Sequence, residues 1–125
     1  MSYTGFSFAN LTTSKPSISG KGEVLVRVDV KNTGARAGDE VVQLYVRHVG
    51  SKVDWPGKAL KGFRRVEIPP GKMRMVEIPL RGADLAYWDV TRHAWTVERG
   101  RVELMVGNSS ADRDLTLRKT IEVGP

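Results

Sequence analysis

The chain contains no cysteine, which excludes a disulfide framework, a thiolate metal site and a cysteine nucleophile. That absence leaves the compartment open, with a cytoplasmic setting as the default. Histidine occurs only twice, at His48 and His93. Neither has a second ligand at i+2 or i+4, whereas a zinc site draws on three or more convergent ligands. No metal and no cofactor is therefore expected. No apolar run approaches the roughly 20 residues of a membrane span, so no membrane partner is expected. The opening Met1-Ser2-Tyr3-Thr4-Gly5-Phe6 has neither the cationic nor the apolar part of a signal peptide. Also lacking is any block of about five or more Lys and Arg residues. The net charge of +6 comes from 20 basic residues interspersed with 14 acidic ones. Such mixing reads as solvated strand faces, and no nucleic-acid partner is expected.

What is present is alternation. The length of 125 residues corresponds to a single domain spanning 1–125, large enough to bury about two-thirds of its extended-chain surface. Glu23 to Asn32 is the cleanest strand, with Val24, Val26, Val28 and Val30 on one face and Arg27, Asp29 and Lys31 on the other. Asn32-Thr33-Gly34 follows as a turn of residues that tolerate positive φ. Gly38 to His48 is a central strand: Val42, Leu44 and Val46 share a buried face, and Val41, Gln43 and Tyr45 share a partly covered one. The aromatic start up to Leu11 reads as an edge strand, and Thr12 to Gly22 as a polar loop. Val49 to Lys58 is a second loop of about ten residues, broken by Gly50, Pro56 and Gly57. Ala59 to Ile68 resumes the pattern. Leu60 and Phe63 fall on opposite faces under strict alternation, so Gly62 marks a bulge.

Pro69-Pro70-Gly71 is a turn, and Val76, Ile78 and Leu80 line the next strand. Gly82 to Trp88 holds one short helical turn, and Thr91 to Ala94 is a hairpin tip. Val102, Leu104 and Val106 mark a further strand. The last has Leu115, Leu117, Ile121 and Val123 inward. About seven main strands at short spacing, with hardly a helix, predict an all-β sandwich of two antiparallel sheets. Burial of each Val, Leu or Ile contributes roughly 1.5–3 kcal/mol, so such a domain folds without a metal or a disulfide.

Catalytic constellations are sparse. Asp39 and Glu40 are adjacent, hence on opposite strand faces, and Asp112 and Asp114 lie in or beside a loop. None has the apolar setting that raises a carboxyl pKa for glycoside hydrolysis. No strand–turn–helix context carries a nucleophile elbow, and no glycine loop opens a helix for phosphate. Trp88 and Trp95 flank the predicted hairpin and read as core packing or a lid on the sandwich. Trp55 sits in the polar loop beside Pro56 and Gly57, where an exposed tryptophan is a contact candidate. Asn10-Leu11-Thr12 and Asn108-Ser109-Ser110 match the N-glycosylation pattern, which has meaning only in a secretory context.

Val30-Lys31-Asn32-Thr33-Gly34, Gly38 through Val46 and Leu60-Lys61-Gly62-Phe63 resemble the fibronectin type III-like domain of family 3 glycoside hydrolases, the β-glucosidases and β-xylosidases. Pro70-Gly71, Asp84 through Asp89 and Gly100 through Ser110 extend the resemblance, in order, over almost the whole chain. It implies an immunoglobulin/fibronectin type III-like β-sandwich that is accessory and non-catalytic. The family's nucleophile and acid/base lie in other domains and map to no residue here. One departure is Val102, which stands where relatives often carry an aromatic, so a tyrosine-corner hydrogen bond is not available. The implied partners are the catalytic domains of such a glycosidase, in cis or in trans. The contact is expected on the 49–59 loop, at Asp54, Trp55, Pro56 and Lys58. An independent carbohydrate-binding or protein-interaction module, with polysaccharide as its partner, is the alternative. Met1 directly before the first strand suggests one domain of a larger hydrolase.

Overall fold

The computed structural model describes residues 6–35, 37–50, 58–108, 115 and 117–124. Asp54, Trp55 and Pro56, and with them Asp112 and Asp114, lie outside the described residues. Ten strands are present: β1 (Phe6–Thr13), β2 (Ser17–Ser19), β3 (Glu23–Asn32), β4 (Gly38–Val49), β5 (Ala59–Ile68), β6 (Met73–Arg81), β7 (Ala86–Asp89), β8 (Ala94–Val97), β9 (Gly100–Gly107) and β10 (Leu117–Gly124). A 3-10 turn, Gly82–Leu85, joins β6 to β7. The seven longer strands are the expected ones, and β2, β7 and β8 add three of only three or four residues. Among the described residues no helix is long and apolar enough to cross a membrane.

A three-stranded sheet, β1-β3-β6, faces a five-stranded sheet, β2-β10-β9-β4-β5, and β7-β8 form a ribbon of their own. This is the all-β, fibronectin type III-like sandwich. Its core is built by alternation, since residues two apart on a strand share a face. Val24, Val26, Val28 and Val30 of β3 meet Val42, Leu44 and Val46 of β4, all buried. Val76, Ile78 and Leu80 complete one wall, and Val102, Leu104 and Val106 the other. β4 is paired on both sides, to β5 and β9, which makes it the interior strand its apolar pattern predicts.

Two sites in the loop reading differ from expectation. The polar loop Thr12 to Gly22 contains β2, which runs parallel to β10 through Ile18↔Val123. Ile18, the lone apolar side chain of that loop, is buried in the core and anchors the strand. The turn after β3 is made by a side chain: Asn32 Oδ1 accepts from the Gly34 amide at 2.8 Å, the local mimicry that asparagine performs. Asn32 is also fully buried and donates through Nδ2 to the Ile68 carbonyl at 2.8 Å. Its backbone amide donates to the Lys72 carbonyl and its carbonyl accepts from the Gly71 amide. One residue thus ties the end of β3 to the β5–β6 turn.

The bulge at Gly62 is present. Leu44 pairs with Gly62 and Tyr45 with Leu60, leaving Lys61 as the extra residue. The slip turns Leu60 and Phe63 to the same outer face, opposite Tyr45 and Gln43. Gly62 itself lies under β6, where a Cβ would stand 2.6 Å from Ile78 Cγ2. On that outer face Tyr45, Met105 and Leu115 form a small second cluster. Leu115 was expected to point inward with Leu117. β10 begins only at Leu117, and the Leu115 carbonyl accepts from Arg118 Nε at 3.0 Å, so the alternation does not reach back to it.

Three substitutions test this framework. Asn32→Ala removes two side-chain hydrogen bonds, one of them to the carbonyl of buried Ile68, with an expected cost of about 2–4 kcal/mol by urea unfolding. Gly82→Ala places a Cβ 1.9 Å from the Ser19 carbonyl oxygen and should cost about 3 kcal/mol or more. Gly124→Ala, with nothing within 4 Å of its Cβ, should change stability by under about 0.5 kcal/mol.

A candidate contact end of the sandwich

β4 and β9 pair through Val49↔Arg101, β10 and β9 through Val123↔Gly100, and β3 and β6 through Glu23↔Arg81. The C-terminal end of β4, the start of β9 and the ends of β10 and β6 therefore meet at one end of the sandwich. The 49–59 loop leaves β4 and returns to β5 there, since Val46 pairs with Ala59. Lys58 is half-buried at the foot of β5. Of the four expected contact residues it alone is described.

Gly82 sets the β7–β8 ribbon against this end. Its amide donates to the Gly22 carbonyl at 2.8 Å, and its missing side chain admits the Ser19–Gly20 backbone. The 3-10 turn is held by Asp84, which accepts from the Arg81 amide at 3.1 Å and pairs with the Arg81 guanidinium at 3.5 Å. Leu85 drops into the core behind it. At the ribbon's tip Asp89 Oδ1 accepts from the amides of Thr91 at 2.9 Å and Arg92 at 3.3 Å. His93 takes a left-handed φ of 50°, one of the conformations histidine tolerates better than most side chains.

Ala86↔Val97 and Trp88↔Trp95 are direct cross-strand pairs, so all four side chains share one face. Val97 packs on the core. The two tryptophans, expected in the core or as its lid, are instead 49% and 71% exposed. Their rings meet edge to face, with centroids 5.7 Å apart at 74°. The reason is geometric: the ribbon is a sheet of its own, and only its base is in register to reach the sandwich. The cross-strand pairing puts both rings on one side. It carries no information on what covers that side.

Two open hollows flank the ribbon. One of about 430 Å³ is lined by Ser19, Gly20, Lys21, Val97, Arg99 and Gly124. The other, about 280 Å³, is lined by His48, Val49, Gly50, Glu98, Arg99, Gly100 and Arg101. Burial holds the His48 imidazole below its ordinary 6.5, opposed by the Glu98 carboxylate and aided by Lys61.

Of the carboxylates weighed for hydrolysis, the two that are described, Asp39 and Glu40, have structural partners, as does Glu103. Asp39 pairs with Arg65 at 2.6 Å. Glu40 accepts from Asn108 Nδ2 at 3.2 Å and from the Val41 amide at 3.0 Å. Glu103 lies between Arg47, at 3.0 Å, and Arg118, at 3.6 Å. Among the described residues no group of three or more His, Asp or Glu side chains converges as a metal site would require. The chemistry this end offers is contact: aromatic surface, hollows and guanidinium groups.

His48 makes stability depend on pH in a defined direction. Its folded-state pKa lies below the unfolded value of 6.5, so the unfolded chain binds the proton more readily. The stabilisation is complete above pH 6.5 and is lost as pH falls from 6.5 through the lowered folded value. His48→Gln should flatten the decline in urea midpoint between about pH 7 and pH 5 relative to the unsubstituted chain. Equal slopes for the two proteins would contradict this assignment.

The profile described as the fibronectin type III-like domain matches residues 40–110, more than half of the chain. Thermostable β-glucosidase B of Acetivibrio thermocellus is 38% identical over 123 residues, which is 98% of this chain and 16% of that protein. A β-glucosidase from Erythrobacter marinus superposes with a TM-score of 0.88 at 32% identity, over 99% of this chain and 16% of its own. The β-D-glucoside glucohydrolase of Trichoderma reesei does so with a TM-score of 0.86 at 31% identity, over 99% of this chain and 19% of its own. The chain thus spans about a sixth of the length of the curated relative it matches. Sequence and fold agree that it belongs to the fibronectin type III-like domain family, in the form carried by family 3 β-glucosidases.

Proposed function

We propose that the chain is a non-catalytic accessory domain of a family 3 glycoside hydrolase acting on β-glucosides, packing on the catalytic domains and stabilising them. The observation that carries this reading is the match of 98% of the chain to a 16% portion of a β-glucosidase. Such a portion contributes by contact, and this sandwich is equipped for contact. Several of its described ionisable groups sit in structural pairs, such as Asp39–Arg65 and Arg27–Glu77.

The 49–59 loop, with Asp54, Trp55, Pro56 and Lys58, leaves the same end as the tryptophan ribbon and is the proposed route by which the domain shapes access to the active site. The partners are accordingly the catalytic domains of the same polypeptide.

The purified chain should turn over no aryl β-glucoside above a buffer blank, while a β-glucosidase stripped of its matching domain should lose thermal stability. Turnover by the isolated chain, abolished by substitution of one of its own carboxylates, would sink the accessory reading.

A further inference from the structure

The accessory role requires a surface that meets the rest of an enzyme, and the described surface offers three apolar groups. Val41, Leu60 and Phe63 lie on the outer face of the five-stranded sheet, and Met73 and Met75 lie along the edge strand β6. The third group, Trp88, Trp95 and Val90, differs from both in area and in setting. A tryptophan pair carries several hundred Å² of aromatic surface. Here it is held in place beforehand by the cross-strand pairing, the edge-to-face contact and the Asp89 turn. Little side-chain entropy is left to lose on docking.

The apolar surface does not stop at the rings. Val97 shares their face and also lines the larger hollow beside Lys21 and Arg99. The charges around it lean positive, with Glu98 in the smaller hollow beside Arg99 and Arg101 and Glu122 opposite Arg101 across the strands. Arg81 and Arg92 are neutralised by Asp84 and Asp89. Among the described residues Lys21, Arg99 and Arg101 have no carboxylate within ion-pair distance. The result is an aromatic centre with a cationic rim, the combination of Trp and Arg that concentrates binding energy at protein interfaces.

Resting on the accessory reading above, we propose that the β7–β8 ribbon and the Lys21–Arg99–Arg101 rim form the docking surface of this domain. Its occupant is the catalytic part of the β-glucosidase polypeptide, through a patch that is apolar at its centre and acidic at its margin. A sugar platform is the less favoured occupant. The two rings stand at 74° and share no plane for a run of sugar faces. The carboxylate next to Trp88 in the chain, Asp89, is already committed to the turn amides and Arg92.

The test replaces the matching domain of the Acetivibrio enzyme with this chain. Four proteins are compared: the chimera, the chimera with Trp88→Ser and Trp95→Ser, the chimera with Arg99→Glu and Arg101→Glu, and the enzyme lacking the domain. The expected result is that the chimera outlasts the truncated enzyme on heating and that both substituted chimeras lose aryl-glucosidase activity several-fold faster. Thermal unfolding of each isolated chain separates docking from folding. Should the serine pair unfold the isolated chain, the charge reversals at exposed positions decide alone.

Equal half-lives for the plain and substituted chimeras would overturn the docking surface and leave the accessory role standing. A chimera no more durable than the truncated enzyme would instead remove the accessory reading, and the inference with it. Quenching of the isolated chain's tryptophan fluorescence by a soluble β-glucan, lost on Trp88→Ser and Trp95→Ser, would also overturn the proposal in favour of a sugar platform.

Discussion

The structure depends on the burial of the inner face of β4 against the valines of β3. Both strands carry an apolar side chain at every second position, and each sheet alone would leave that row in water. Stacking the sheets removes both rows at once, each Val or Leu contributing roughly 1.5–3 kcal/mol. Everything else accommodates this contact. Gly62 is bare so that β5 can lie under Ile78 of β6. Gly82 is bare so that the chain leaving β6 can cross the Ser19–Gly20 backbone. Asn32 fastens the far end of β3 to the β5–β6 turn through its buried amide.

The outer face of β4 serves a different purpose. Tyr45 donates to Gln43 Oε1 at 2.6 Å, and Gln43 Nε2 donates to the Asn108 carbonyl at 3.3 Å. Tyr45 also packs with Met105 and Leu115. This face is therefore closed by the domain's own chain, with Leu60 and Phe63 left outside it. The two ends of the strand are also unlike. The Gly38 end is anchored by Asp39–Arg65 and by Glu40. The Val49 end opens into the 49–59 loop, the hollows and the tryptophan ribbon. Surface loops on a fixed sandwich are where binding residues concentrate.

That division also bears on what kind of partner is met. Some carboxylates and guanidinium groups elsewhere are matched across strands, as with Arg27–Glu77 and Glu103 between Arg47 and Arg118. Around Val97 the balance fails in favour of positive charge. Exposed surface ion pairs contribute little to stability, so the difference between the two regions matters more for which surface approaches than for how firmly the domain folds.

The sandwich, its seven long strands and the bulge at Gly62 were legible in the sequence alone, because period-two burial and turn chemistry are local properties that residue identity encodes; the family came from the resemblance of its motifs. Residues whose covering lies far along the chain could not be read that way. Ile18 looked like a loop residue because its partner, Val123, is more than a hundred positions away. Leu115 obeyed the parity of a strand that begins only two residues later. Trp88 and Trp95 read as core packing or a lid, because a tryptophan over a core and one over solvent leave the same trace in a sequence. Only the tertiary structure, by setting the ribbon as a separate sheet at the end of the sandwich, decided that both rings face outward.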